Sequence, residues 1–186
     1  IVGAGAMGSG IAQVAAQAGC KVIITDNFAE SLLNSQKLIR NNIQKLVDKG
    51  KIEASFGEEI INNIIWTDTL ADLATSDLVI EAIIEEISIK KKLFSEVELI
   101  VSSNCILASN TSSLSITAIA SACKYPERVI GIHFFNPAPI MDLVEIIPAI
   151  QTNQNITSII LQEIASWNKT VVLAKDTPGF IVNRIA

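Results

Sequence analysis

The chain of 186 residues has the length of one ordinary domain, and 49% hydrophobic with 18% charged residues suits a well-buried α/β core. No apolar run reaches the roughly 18 residues needed to cross a membrane, so we expect a soluble protein without a membrane partner. The net charge of −5, with no basic face, argues against nucleic acid as the main partner.

The cysteines and the histidine limit the metal and redox chemistry. Cys20, Cys105 and Cys123 stand far apart, with no Cys-x-x-Cys motif and no neighbouring histidine. This spacing suggests neither a zinc site nor a disulfide framework. We therefore expect reduced core thiols in a cytoplasmic protein. His133 is the only histidine, so a histidine-based metal site is not available either.

The chain begins with Ile1-Val2-Gly3-Ala4-Gly5-Ala6-Met7-Gly8, a Gly-x-Gly-x-x-Gly pattern before a helical run of small residues. In such a pattern the first glycine permits a tight turn, the second lets the backbone approach a pyrophosphate, and the third allows close helix packing. A turn that needs glycine for steric reasons alone has the same sequence. The predicted contacts of a dinucleotide are Gly3, Gly5, Ala6, Met7 and Gly8.

The next strand supports the dinucleotide interpretation. Residues 21–26 read as a buried strand that ends in Asp26. Dinucleotide-binding folds place a carboxylate there to accept the hydroxyls of the adenosine ribose. Because that charge also repels a 2′-phosphate, we predict NAD rather than NADP as the cofactor.

A long helix is predicted from Ala29 to Gly50, where the glycine ends it. The apolar stripe consists of Leu32, Ile39, Ile43, Leu46 and Val47. The other side carries a cationic strip, Lys37, Arg40, Lys45 and Lys49. This strip is either a solvated face or an anion site for a phosphorylated substrate. A shorter helix is predicted over 56–65, and residues 66–68 return towards the sheet.

Strands and helices alternate over the rest of the chain, which predicts a doubly wound α/β domain. The predicted strands are 77–83, 106–108, 128–132, 143–147 and 170–173, and the helices are 87–101, 156–167 and a last one opening at Thr177-Pro178. In helix 87–101 we expect Ile89, Leu93, Val97 and Ile100 to face inward and most of the lysine run 90–92 to be solvated.

Two features lie at predicted strand ends. The polar run 109–113 follows a strand, at the sheet edge where doubly wound folds bind ligands, and helix capping would need only one of its serines. His133 also follows a strand, and Glu145 interrupts a strand of Leu, Val and Ile. A buried charge is costly unless it is paired.

We predict that Glu145 pairs with His133, fixes the ring tautomer and leaves the other ring nitrogen for a substrate. The alternative is a core histidine bound to a backbone carbonyl, with a glutamate that reaches solvent at a strand edge. A base beside NAD indicates alcohol oxidation, in which the base takes the hydroxyl proton as hydride leaves carbon. In the reverse direction the imidazolium acts as the acid.

Four motifs in this order resemble the NAD-binding domain of L-3-hydroxyacyl-CoA dehydrogenases, with 3-hydroxybutyryl-CoA dehydrogenases nearest in character. They are the glycine-rich turn 3–8, Ser109-Asn110-Thr111-Ser112-Ser113-Leu114, the run 133–145 that begins His-Phe-Phe-Asn-Pro, and 176–184, Asp-Thr-Pro-Gly-Phe-Ile-Val-Asn-Arg. The resemblance covers 1–186, and implies a Rossmann domain with a helical hairpin insertion. It also implies oxidation of an L-3-hydroxyacyl-CoA, in β-oxidation or in butyrate-type fermentation.

The resemblance implies roles for individual residues around the reacting carbon. His133 would be the general base and Glu145 its orienting partner. Ser112 would hydrogen bond the substrate's 3-oxygen and the nicotinamide ribose. Asn136 would position the thioester side, and Asn183 would line the nicotinamide pocket.

Further contacts are implied away from that carbon. Glu85 and Lys90 would contact the ribose region of NAD. The helical hairpin would hold coenzyme A, with Lys49 near the adenosine phosphates. Asn42 stands where some relatives carry a serine, which puts that coenzyme A contact in doubt.

Both ends of the chain look cut, because only Ile1 and Val2 precede Gly3 and the last helix stops soon after it starts. The resemblance implies an additional helical C-terminal domain that completes the substrate cleft and forms a homodimer. Two alternatives are a dehydrogenase of another hydroxy acid, such as gulonate or 3-hydroxyisobutyrate, and a non-catalytic NADH-binding protein like a crystallin or sensor. The cationic strip disfavours the first, and the intact His133 and Glu145 disfavour the second.

Overall fold

The computed structural model describes residues 1–185, and side chains through Arg184. Ala186, which the sequence places in the last helix, lies outside the described residues. The α-helices are α1 (Ala6–Gln17), α2 (Ala29–Asp48), α3 (Ala54–Asn62), α4 (Ile87–Ile100), α5 (Ile116–Ala120), α6 (Gln154–Ser166) and α7 (Val182–Ile185). The strands are β1 (Val22–Thr25), β2 (Ile64–Thr67), β3 (Leu78–Glu81), β4 (Ile106–Ser109), β5 (Val129–Phe134), β6 (Leu143–Pro148) and β7 (Thr170–Leu173).

The first residues of the chain join two groups of strands. Val2 forms parallel bridges with Thr25 of β1 and Glu81 of β3. The spatial order is therefore β2, β1, residues 1–3, then β3 to β7 in sequence. All named neighbouring pairs are parallel except β5 and β6. The strand order reverses beside residues 1–3, which is where doubly wound folds bind their ligands, and the predicted α/β class is confirmed.

Helices cover both faces of the sheet, which explains the continuous apolar runs in its strands. Successive strand residues point to opposite faces. Ile80 packs in the core formed with α1, α2, α3 and α6, whereas its neighbour Val79 packs in the core formed with α4 and α5. A strand buried on both sides loses the polar–apolar alternation of a half-exposed strand.

Most predicted elements are confirmed to within a few residues, and two predicted element boundaries are wrong. The helix predicted over 56–65 is α3, which ends at Asn62, and Ile64 and Ile65 belong to β2. A short apolar run fits both periods, and parallel pairing of Ile64 with Val22 decides it.

The last helix begins at Val182 and not at Thr177-Pro178 as the sequence predicts. Gly179 and Phe180 have φ values of 75° and 48°, which are incompatible with a right-handed helix. By contrast, Gly50 has a φ of 64° just after α2 and ends that helix as predicted.

Candidate active site at the strand ends

The glycine-rich turn leads directly into the uncapped N-terminus of helix α1. Helix α1 begins after Gly5, and no side chain in residues 1–184 caps its first N–H groups, so the first turn at Ala6 and Met7 can face an anion. A Cβ atom on Gly8 would lie 1.8 Å from the Gly3 carbonyl oxygen, whereas a Cβ on Gly5 would have no atom of the described residues within 4 Å. Gly8 is therefore required by packing, and the space at Gly5 is free for a ligand.

Asp26 connects the end of β1 to the glycine-rich turn. Its carboxylate accepts hydrogen bonds from the Ala4 N–H at 2.8 Å and from the Phe28 N–H at 2.9 Å. Asp26, Gly3 and Gly5 line a cleft of about 560 Å³. An open backbone, an uncapped helix end and a carboxylate at the neighbouring strand end fit the pyrophosphate and ribose of a dinucleotide.

A buried ionic network lies beside this cleft. The Lys90 side chain is 1% exposed, and its ammonium pairs with Glu81 and, at 3.3 Å, with Glu85. Glu81 also accepts from the Ser109 hydroxyl at 2.6 Å and from the Ile83 N–H at 2.7 Å. Lys90 is thus an exception to the predicted solvation of the lysine run, because it neutralises carboxylates that could not be buried alone.

Glu85 carries this network to the polar run that follows β4. It accepts from the Thr111 hydroxyl at 2.5 Å, from the Ser112 N–H at 2.8 Å and from the Ser112 hydroxyl at 3.2 Å. Burial raises the pKa of Glu85, but these hydrogen bonds and the Lys90 charge outweigh burial and hold that pKa below its usual range. An ionised Glu85 therefore fixes the position of Ser112.

His133 and Glu145 lie opposite each other in the antiparallel pair β5 and β6. His133 Nδ1 is 2.7 Å from Glu145 Oε2, which confirms the predicted contact and excludes a glutamate that reaches solvent. A carboxylate only accepts hydrogen bonds, so this contact uses the tautomer with the proton on Nδ1, which leaves Nε2 as the acceptor. Glu145 is 0% exposed.

The other oxygen of Glu145 has partners that the sequence did not indicate. Oε1 accepts from the Ile181 N–H at 2.9 Å and from the Val182 N–H at 3.0 Å. Two main-chain donors offset the cost of burying this charge. The next residue, Asn183, donates its side-chain amide to the Ser112 carbonyl at 3.2 Å. Because Val182 and Asn183 are adjacent in the chain, these hydrogen bonds link the His133–Glu145 pair to Ser112.

Aromatic rings and an exposed turn surround His133. The Phe135 ring centroid is 4.4 Å from that of His133, and the Phe180 ring centroid is 5.8 Å away. Asn136 is exposed and follows Phe135 directly, so it lies on the turn that leaves β5. The Asn110 side chain accepts from the Phe134 N–H at 2.8 Å and holds the start of the polar run against β5.

The residues predicted to hold coenzyme A lie on α2 or just after it. Lys49 is exposed at the end of this helix, and Lys37, Arg40 and Lys45 are exposed as well. Asn42 donates to the Gln13 side chain of α1 at 3.1 Å. Within residues 1–184, neither Asn42 nor Lys49 has a hydrogen bond to the His133 group.

Sequence reasoning missed Glu81 as part of the site. Glu81, like Glu145, is a buried acid in an apolar strand, and it is 1% exposed. The same rule, that a buried charge needs a partner, predicts a cation near Glu81. That cation is Lys90, which lies on the buried face of α4 together with Phe94 and Val97.

The described part of the chain shows no metal-binding cluster, two buried and protonated thiols, and no helix suited to cross a membrane. Residues 1–184 contain no group of three or more His, Cys, Asp or Glu side chains that could hold a metal ion. Burial raises the pKa of Cys105 to about 11 and that of Cys123 to about 12, so both thiols are protonated at neutral pH. None of the helices in residues 1–185 has the length and apolar character needed to cross a membrane.

Comparison with known proteins agrees with this geometry. Residues 1–177 match the family described as 3-hydroxyacyl-CoA dehydrogenase, NAD binding domain. The chain belongs to this family. Membership in the 3-hydroxyacyl-CoA dehydrogenase family confirms the predicted relationship, and the family's domain supports NAD as the cofactor.

Individual relatives cover the whole chain and are longer than it. The chain is 42% identical to 3-hydroxyadipyl-CoA dehydrogenase of Escherichia coli K12, covering 100% of the chain and 39% of that protein. It is 44% identical over 185 residues to a probable 3-hydroxybutyryl-CoA dehydrogenase of Deinococcus radiodurans, covering 100% of the chain and 66% of the relative. A crystal structure of E. coli 3-hydroxybutyryl-CoA dehydrogenase matches with a TM-score of 0.98 at 42% identity, over 100% of this chain and 39% of that one.

Proposed function

We propose that this chain is the NAD-binding part of an enzyme that oxidises an L-3-hydroxyacyl-CoA to the 3-oxoacyl-CoA, or catalyses the reverse reduction. The observation that carries the proposal is the His133–Glu145 contact of 2.7 Å in a domain whose strand-end cleft fits a dinucleotide. The names of the relatives support an acyl-CoA substrate. The intact pair argues against a protein that only binds NADH.

The chain's own residues would handle the proton. Bound NAD supplies the acceptor for the hydride from carbon 3 of the substrate. His133 Nε2 would take the hydroxyl proton, because Nδ1 is already committed to Glu145. The buried carboxylate of Glu145 would then stabilise the imidazolium and keep the ring oriented. In the reduction, the same imidazolium would return the proton to the 3-oxygen.

Ser112 and Asn183 are proposed to hold the reacting ends of substrate and cofactor. Glu85 fixes Ser112 through two hydrogen bonds, and Asn183 binds the Ser112 carbonyl. Ser112 would bind the 3-oxygen and the nicotinamide ribose, and Asn183 would line the nicotinamide pocket. A ribose contact of Lys90 would pass through Glu85, since the ammonium is buried beside that carboxylate.

Asn136 and the cationic strip are proposed to bind the rest of the substrate. Asn136 would position the thioester from its exposed turn. Exposed cations on a long helix suit the phosphates of coenzyme A, and Lys49 would lie near those of the adenosine end. The Asn42 amide is engaged by Gln13, so a substrate contact there would require it to change partners. The homodimer, the cytoplasmic location and the domain range 1–186 remain predictions.

The direct test is NADH absorbance when the complete gene product is mixed with acetoacetyl-CoA and NADH. We expect rapid oxidation of NADH, much slower oxidation of NADPH, and none with free acetoacetate in place of the thioester. These arms test reaction, cofactor and coenzyme A dependence separately. Binding of NADH without consumption would overturn the proposed substrate and favour another hydroxy acid or a non-catalytic role.

Replacing Asp26 with Ala is expected to weaken NAD binding by about 1.5–3 kcal/mol, the scale of a hydrogen bond to a charged group. The variant should also discriminate less between NAD and NADP, because the charge that repels the 2′-phosphate is gone. Calorimetric titration with both cofactors measures both effects. Asp68→Ala is the matched control, since Asp68 is an exposed acid just after the neighbouring strand β2. An unchanged ratio of NAD to NADP affinity in Asp26→Ala would contradict the ribose assignment.

A further inference from the structure

We propose that the segment Asp176–Asn183 positions the catalytic pair, acting on Glu145 through the main-chain N–H groups of Ile181 and Val182. The inference rests on the proposed function and extends it to residues that do not touch the substrate's reacting carbon. Val182 is therefore a positioning residue.

The proposal rests on the different hydrogen-bond partners of the two carboxylate oxygens of Glu145. Oε2 faces His133 Nδ1 at 2.7 Å, while Oε1 accepts from the N–H groups of Ile181 and Val182 at 2.9 and 3.0 Å. Glu145 is completely buried, so water does not compete for either oxygen. The two N–H donors therefore set the rotation of the carboxylate plane, and that plane sets the direction from which Glu145 meets the imidazole.

The segment is anchored at both ends. At its start, the Asp176 carboxylate accepts from the Ile116 N–H at 2.9 Å, the Thr117 N–H at 2.7 Å and the Ser115 hydroxyl at 3.0 Å. At its end, Asn183 donates to the Ser112 carbonyl at 3.2 Å. The donors to Glu145 lie between two fixed points, which restricts their movement.

The backbone between these anchors adopts an uncommon conformation. Gly179 and Phe180 are consecutive residues with φ values of 75° and 48°. For phenylalanine this region costs about 1–2 kcal/mol, and such residues persist where the surroundings hold them. Phe180 is 3% exposed, and its ring lies 5.8 Å from the His133 ring. The two residues with positive φ thus directly precede the two residues whose N–H groups donate to Glu145.

These contacts couple three parts of the site. A shift at the start of α7 would change the Glu145 carboxylate, the His133 ring behind it and, through Asn183, the Ser112 main chain. We infer that the segment keeps the base and Ser112 in register with each other. We expect the effect chiefly in the turnover step, because these hydrogen bonds adjoin only the proposed nicotinamide end of NAD. None of them involves the glycine-rich turn or Asp26, the predicted contacts of the pyrophosphate and the adenosine ribose.

The test is Val182→Pro in the complete gene product. Val182 is the first residue of α7, where proline is tolerated, so the substitution removes the N–H with little disturbance of the helix. We expect kcat to fall about tenfold, as for a small misplacement of a catalytic group, while KM for NADH stays within about twofold. The NMR resonance of the His133 Nδ1 proton should also shift.

Two comparison variants make the result specific. Gln154→Pro places proline at the exposed first position of α6, after Asn153 with a ψ of 136° that suits a residue before proline, and should leave kcat unchanged. Val182→Ala keeps the N–H, so its kcat gives the share of the loss that is due to the side chain. A Val182→Pro variant with the kcat of Val182→Ala would overturn the proposal.

If Val182→Pro does not fold, Asp176→Ala tests the proposal instead. This variant releases the start of the segment and keeps the N–H groups of Ile181 and Val182. A tenfold lower kcat with unchanged KM for NADH supports the proposal, and an unchanged kcat overturns it. Failure of the proposed function looks different, because the parent protein itself would not oxidise NADH with acetoacetyl-CoA. The His133 Nδ1 resonance then still reports whether Val182 controls the Glu145 contact.

Discussion

Replacing His133 with Gln is expected to reduce kcat by about 10²–10⁴-fold, the usual contribution of a general acid or base. Glutamine fits the site and can donate its amide to Glu145, but it does not take up the substrate proton. The buried Glu145 charge would keep its two main-chain donors, so the fold should persist. The measurement is steady-state oxidation of NADH by acetoacetyl-CoA.

Cofactor binding separates this effect from a general loss of structure. NAD contacts are predicted at the glycine-rich turn and at Asp26, and His133 lies on β5, so the Kd for NAD should stay within about twofold of the parent. Glu145→Gln is a graded comparison, because it keeps the shape of the partner and removes its charge. It should lose less kcat than His133→Gln. A kcat for His133→Gln equal to that of the parent would refute the role of this residue as the base.

The fold could be predicted well wherever local patterns determine the structure. Strand β7 is observed at Thr170–Leu173, as predicted, because a short β-branched run between polar turns has no competing interpretation. The strand β2 was missed because the isoleucines at 60, 61, 64 and 65 have helical spacing, while Ile64 and Ile65 also suit a short strand. It forms a strand because it pairs with β1: Ile64 pairs with Val22, which lies 42 residues earlier in the chain. The antiparallel direction of β6 is likewise a tertiary feature.

The candidate site shows where the same physical rule succeeded and where it was not applied. Glu145 was identified because an acid in an apolar strand needs a partner, and the partner is at 2.7 Å. The resemblance implied a cofactor contact for Lys90, but its burial beside Glu81 was missed because lysine runs are usually solvated. The inward face of α4 was predicted from Ile89, which is 41% exposed, whereas Lys90, Phe94 and Val97 are buried. Had the inward face of α4 been predicted from residue 90 instead of 89, the ammonium of Lys90 would have been expected in the interior, where Glu81 needs a partner.

The main-chain donors to Glu145 could not have been predicted. Any residue supplies an N–H, so the side chains of Ile181 and Val182 contain no signal for this contact. It depends on the turn at Gly179 and Phe180, where the sequence indicates a helix. Main-chain recognition of a buried charge becomes visible only when the tertiary structure is known.

Gly8→Ala is expected to destabilise the protein by about 3 kcal/mol or more, at the upper end for overpacking a tight site. The new Cβ would lie 1.8 Å from the Gly3 carbonyl oxygen and 2.9 Å from its carbon. Neither atom is the end of a flexible side chain, so the backbone of the turn would have to move. A loss of this size lowers the melting temperature of a domain this long by about 6–12 °C, measured calorimetrically.

Gly5→Ala is the matched variant and should behave in the opposite way. Gly5 has a φ of −70°, which alanine adopts readily, and a Cβ there has no atom of the described residues within 4 Å. Without ligand, its melting temperature should equal that of the parent to within about 2 °C. The Cβ would occupy the space through which a pyrophosphate approaches, so NAD should bind about tenfold more weakly or worse.

Together the two variants separate the two explanations of the glycine-rich turn. If glycine is needed only for steric reasons, Gly5→Ala would bind NAD like the parent, because a Cβ at that position contacts none of the residues that the structure describes. If the turn accommodates a pyrophosphate, Gly5→Ala loses affinity without losing stability, and Gly8→Ala loses stability even without ligand. A parent-like melting temperature for Gly8→Ala would instead contradict the close approach of α1 to residue 3. The space at Gly5, which no atom of the described residues fills, therefore distinguishes a binding site from a structural turn.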